Sequence, residues 1–141
     1  MNTGQTSQEI VTAFFKRQGK AAFLHRVTDQ AEVFGMNKGK PMARVKKQPS
    51  DNILTWKGTT HFLEVKSSKA EPSFPFGNIE TQQRAAAIMV AAAGGSYVFA
   101  LHRLSRDLWY WVEGKDLFRL ADGKQSCRWD ALTPYLWNPY A

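Results

Sequence analysis

The stretch "PSDNILTWKGTTHFLEVKSS", Pro49 to Ser68, decides the fold: two runs of β-forming residues flank Lys57 and Gly58 and read as a hairpin. A two-residue turn at Lys57-Gly58 sets Trp56 opposite Thr59, and counting outward from that pair sets Asp51 opposite Glu64. Directly opposed residues of an antiparallel pair stand roughly 4.5–5.5 Å apart at Cβ, where two like charges weaken the ladder. Something has to offset that repulsion. Side chains alternate along a strand, so Lys66 shares the face of Glu64, while Leu63 and Val65 point to the opposite, core-facing side. The hairpin predicts a convergence of Asp51, Glu64 and Lys66.

Two carboxylates at this separation can share one hard cation, which takes carboxylate oxygens and water; Mg²⁺ is expected, with Mn²⁺ as the substitute. Such an ion polarises a phosphate and lowers the pKa of a bound water. An adjacent ammonium orients that water or stabilises the charge developing on the phosphoryl group. The pattern is that of a site that cleaves phosphodiesters. A plainer reading stands beside it, with Asp51 a solvated turn acid and Glu64 and Lys66 a surface pair. Lys-Gly is a weaker turn signal than Asn-Gly, and a slip of one residue would undo the facing.

Immediately upstream, Met36 to Lys47 contains Lys38, Lys40, Arg44, Lys46 and Lys47 with no acidic residue, and Gly39 and Pro41 oppose a long helix. This reads as a short basic arm at about residues 29–49, suited to contacts with DNA phosphates. The whole chain shares the bias. Its 19 Lys and Arg against 12 Asp and Glu give a net charge of +7, which favours a polyanionic partner such as nucleic acid. With 141 residues, 43% of them hydrophobic, the chain suits a single domain over 1–141 with a real core. A lone cysteine, Cys127, excludes an internal disulfide and a thiolate zinc site, and makes a reducing cytoplasm the expected location. The N-terminus lacks the features of a signal peptide, and the longest apolar run, Ala85 to Ala93, is too short to span a bilayer, so no membrane association is expected.

Around the hairpin, "TSQE" predicts a helix start in which Thr6 caps and Glu9 completes a capping box, followed by an apolar stripe of Ile10, Val11, Phe14 and Phe15 and a stop at Gly19. "KAAFLHRVTD" reads as a strand. A second helix is expected from near Ile79, capped by Asn78 and ended by Gly94 and Gly95; "SYVFALHRL" and "DLWYWVEG" then read as two further strands. Trp109, Tyr110 and Trp111 are read as core, and His25, His61 and His102, without metal-ligand spacing, as structural or solvated. From Lys115 the pattern is ambiguous. The expected fold class is α/β, a mixed central sheet flanked by helices.

An Asp after Pro-Ser and a strand ending Glu-Val-Lys resemble the PD-(D/E)XK nuclease motif. "PSD", "EVKSS", "FPFGNI" and the following "QQ" together resemble, in order and approximate spacing, the RecU-like Holliday junction resolvases, over roughly Glu9 to Leu104. The resemblance implies a restriction-endonuclease-like core, a Mg²⁺-dependent active site and a homodimer that cuts two strands of branched DNA symmetrically. It implies Asp51 and Glu64 as metal ligands, Lys66 as the catalytic lysine, Gln83 as the family's glutamine with Gln82 as the alternative, and Glu9 as the acid on the first helix. Residues 29–49 fall where the family has a projecting stalk, here short. The expected function is a metal-dependent, structure-specific DNA endonuclease that resolves four-way junctions in recombination or repair. The alternatives are a related nuclease on linear, nicked or flapped DNA and a non-catalytic DNA-binding module.

Overall fold

The computed structural model describes residues 3–27, 36–37, 40–41, 48–123 and 125–141. In chain order these form α1 (Thr3–Arg17), β1 (Ala22–Arg26), the two-residue strands β2 (Met36–Asn37) and β3 (Lys40–Pro41), β4 (Asn52–Trp56), β5 (Thr59–Ser68) and β6 (Ser73–Pro75). There follow α2 (Thr81–Ala92), β7 (Ser96–Arg103), β8 (Leu108–Glu113), α3 (Gly114–Arg119), β9 (Ser126–Arg128) and β10 (Leu136–Trp137). Of the basic arm, Lys38, Arg44, Lys46 and Lys47 lie outside the described residues, and Lys40 begins β3.

The hairpin forms in the expected register. Lys57 and Gly58 both take left-handed backbone, φ 53° and 79°, as a type I′ turn requires, and Trp56 pairs with Thr59 and Asn52 with Leu63. Six strands make one mixed sheet in the order β1-β4-β5-β7-β8-β10. Its neighbours are antiparallel except β5 and β7, which run parallel across a crossover that carries β6 and α2.

On one face α1 buries Val11, Phe14 and Phe15 against Leu54, Leu63, Val98, Ala100 and Trp109. Helices α2 and α3, with β9 and a 3-10 segment at Trp129–Tyr135, cover the other face over Phe74, Phe76, Tyr97, Phe99, Leu101 and Trp129. Both faces are therefore core, and β7 is buried from Tyr97 through Arg103, as expected of a strand covered on two sides.

Two helix boundaries differ from expectation. α1 begins at Thr3, so Thr6 lies inside the helix and not at its N-cap. Tertiary contacts hold the N-terminal half of α1: Ser7 Oγ meets His102 Nδ1 at 2.8 Å, and Gln8 exchanges two side-chain hydrogen bonds with Asn52. α2 begins at Thr81, because Phe76–Asn78 winds into a 3-10 turn and Glu80, not Asn78, is the cap. Its end is as expected, with Gly94 at φ 85° and the Gly95 amide returning to the Val90 carbonyl at 2.9 Å.

Candidate active site

The site grows from the open end of the β4–β5 hairpin. Tyr97 donates its hydroxyl to the Pro49 carbonyl, Ser50 Oγ donates to the Asn52 carbonyl at 2.7 Å, and the Val27 amide donates to the Asp51 carbonyl at 2.8 Å. These bonds hold Asp51 one step beyond the paired residues, opposite Glu64. The Asp51 amide donates to Glu64 Oε1 at 2.6 Å. Lys66, two residues along the same face, places its Nζ 3.8 Å from Glu64 Oε2. The structure brings Asp51, Glu64 and Lys66 together.

Burial divides the three. Asp51 is exposed, Lys66 is partly exposed, and Glu64 is fully buried because its face of the sheet is also core. Glu64 Oε2 has no hydrogen-bond partner, the sole such buried side-chain atom among the described residues. Burial, then the neighbouring Asp51 charge, pushes the Glu64 carboxyl up to about 7. Lys66, the Asp51 amide bond and a weaker repulsion from Glu80 also act on it, the first two in the opposite sense. The same carboxylates, after burial, hold the Tyr97 phenol above its ordinary value.

A cation fits this arrangement. An orphaned carboxylate oxygen beside an exposed acid offers hard oxygen donors, and Mg²⁺ accepts one or two carboxylates while keeping several waters. Asp51 and Glu64 are the donors that would hold it. Among the described residues no group of three or more His, Cys, Asp or Glu side chains is placed to hold a metal, so water and substrate would complete the shell.

Asp51 and Lys66 line an open groove with Arg26, Asn78 and, from the first turns of α1, Gln5 and Gln8. Glu9 is exposed and lines a neighbouring groove with Lys16 and Arg26, apart from the two carboxylates. Gln83 is buried at the start of α2, where its Oε1 accepts the Glu80 amide at 3.1 Å and completes a capping box; Gln82 hydrogen-bonds the Glu80 carboxylate. Sequence reasoning missed Glu80, whose charge is felt at Glu64, and the Gln8–Asn52 pair that docks α1 on the hairpin. Glu80 was legible as the first residue of a Glu-x-x-Gln capping box, had the turn before it been recognised.

No family model matches this chain, and no curated protein matches it in sequence. Among solved structures it is similar to the Archaeoglobus fulgidus protein Hjc, a Holliday junction resolvase from an archaeal hyperthermophile. That likeness has a TM-score of 0.61 and covers 96% of this chain and 95% of that one, at 16% identity. The fold is restriction-endonuclease-like. The likeness is to a resolvase fold in general and does not single out the RecU-like group that the motifs resemble. No helix among the described residues is long and apolar enough to cross a membrane.

Proposed function

We propose that the protein is a metal-dependent, structure-specific DNA endonuclease that resolves four-way junctions. The observation that carries the reading is the convergence of Asp51, Glu64 and Lys66 on one hairpin, with a buried carboxylate oxygen left without a hydrogen bond beside an exposed acid. The full-length likeness to a resolvase fold and the net charge of +7 support the substrate class.

A bound Mg²⁺ or Mn²⁺ would supply neutralisation of the phosphodiester and a water of lowered pKa. The chain's own groups do the rest. The Asp51 amide fixes Glu64 Oε1, which leaves Oε2 beside Lys66 as the oxygen that would hold the cation. The Lys66 ammonium lines the groove, where it can meet charge that develops on the phosphoryl oxygens. Gln83 acts here by seating Glu80 and the start of α2 beside the carboxylates, and Glu9 by flanking the groove. Lys38, Lys40, Arg44, Lys46 and Lys47 would hold DNA phosphates, and a homodimer would present two such sites to two strands.

Labelled four-way junction, duplex and single strand, each incubated with the protein with and without Mg²⁺, test the reading. Metal-dependent cutting of the junction in preference to duplex is expected. Preferential cutting of duplex would instead assign a nuclease of linear DNA, and binding without cutting under any metal a non-catalytic module.

A further inference from the structure

At the turn end of the β4–β5 hairpin, on the α1 side of the sheet, a pocket opens among Trp56, Lys57, His61, Trp111, Tyr135 and Trp137. Five residues of β4 at roughly 3.3 Å each separate it from Asp51 by about 17 Å, so it is distinct from the carboxylates. The tryptophan rings meet edge to face: Trp56 and Trp111 have centroids 5.6 Å apart at 75°, and Trp111 and Trp137 5.1 Å apart at 61°. Phe14 and Phe15 back the cluster from α1, which holds it rigid on the core side. On the other side Trp56, Trp111, Tyr135 and Trp137 are each only half-buried.

Lys57 decides what the pocket suits. Its ammonium lies over the Trp56 ring, 4.4 Å from the centroid, and the lysine is exposed, so that ring face meets solvent and not core. The fold does not call for lysine there. Its φ of 53° is a strained conformation for a side chain of this kind, and Asn suits the position better. The pocket's lining includes no Asp or Glu, and the Glu113 carboxylate behind His61 is engaged by Ser96 Oγ at 3.4 Å and Lys115 Nζ at 3.6 Å. Half-exposed aromatic rings and a lysine that forms no ion pair among the described residues, in a chain of net charge +7, are complementary to a planar ring that carries a phosphate.

We propose that this pocket binds an unpaired base of single-stranded or branched DNA, which stacks on Trp56 while Lys57 moves from the ring to the adjacent phosphate. The choice of polymer rests on the DNA reading above. Bases inside a continuous duplex cannot reach the ring faces, whereas every unpaired base has a π face to offer. The site therefore favours DNA in which pairing is interrupted.

The test uses the whole protein in EDTA, to prevent hydrolysis, with octathymidylate and an abasic octamer of the same length as probes. Octathymidylate is expected to quench tryptophan fluorescence and to bind at least about fivefold tighter than the abasic octamer. Lys57→Asn preserves the type I′ turn; it should weaken binding and flatten the dependence of log K on log salt by about 0.7. Equal affinity for the two octamers, or an unchanged slope in Lys57→Asn, overturns the proposal. So does Leu136→Arg at the exposed rim if it dissociates an oligomer and leaves octamer binding intact, since the pocket would then belong to a protein interface. Quenching that persists in a protein unable to cut any junction with Mg²⁺ would sink the nuclease reading and leave this one standing. Junction cutting without quenching would do the reverse.

Discussion

Glu64, central to the chemistry proposed, also carries a stability cost. Its carboxyl ionises near 4.5 when solvated and near 7 in the folded protein, so between those values the native state holds more protons than the unfolded chain. Stability from this group is therefore full below the unfolded value and is lost as pH rises toward 7, in total by roughly 3 kcal/mol. In EDTA, thermal melts should show Glu64→Gln more stable than wild type at pH 8 and nearly equal to it at pH 4; equal melting at both values would mean that the buried charge is already compensated. Adding Mg²⁺ at about 100 times its dissociation constant should return about 2.7 kcal/mol to the wild type at pH 8 and little to Glu64→Gln. In cleavage assays Asp51→Asn, Glu64→Gln and Lys66→Ala should each lower the rate at least about 100-fold while junction binding survives. Cutting that persists in Asp51→Asn would remove that acid from the mechanism.

The β4–β5 hairpin was legible because two constraints agreed: a two-residue turn fixes the register, and strand parity then assigns every side chain to a face. What parity could not say was that both faces are covered. That depends on a second core closing over the face that carries Glu64, a long-range fact that also makes its carboxyl so different from Asp51. The start of α1 was misread because Thr6 and Glu9 satisfy a local capping pattern that burial of Ser7 and Gln8 overrides. β9 and β10 were unreadable for a simpler reason, since strands of three and two residues are too short to display a period. The element that couples cap and site is α2. Gln83 closes its capping box with Glu80, so Gln83→Ala should lower stability by about 1 kcal/mol, read as a fall in melting temperature. Gln82, which hydrogen-bonds the Glu80 carboxylate and does not close the capping box, should cost less when replaced by Ala. If Gln83→Ala loses cleavage but melts like wild type, the glutamine serves the reaction and not the cap.

At the scale of the molecule, one active site cannot cut two strands of a junction at once, which makes assembly part of the function proposed. α2 presents an uninterrupted apolar stripe outward: Ala85, Ile88, Met89 and Ala92 are all exposed, Ile88 by 55% and Met89 by 69%, with no charge between Ala85 and Ala93. Leaving such a stripe in water forgoes burial worth about 25 cal/mol per Å². A second copy related by a two-fold axis would cover the same stripe with itself. A stable interface needs about 800 Å² from each partner, more than four side chains supply, so surface beside the helix has to join it. Sedimentation should accordingly give twice the 16.0 kDa chain mass, and the double substitution Ile88→Asp with Met89→Asp should return the protein to a single chain mass. The charges added lie away from Asp51, Glu64 and Lys66, so each monomer should keep its metal site and its capacity to nick. Paired cuts should then fail: on a four-way junction in a supercoiled plasmid, nicked circles should accumulate where the dimer gives linear product. Wild-type protein that sediments at 16.0 kDa both free and on junction DNA would exclude this assembly, and paired cutting would then require two molecules to arrive independently.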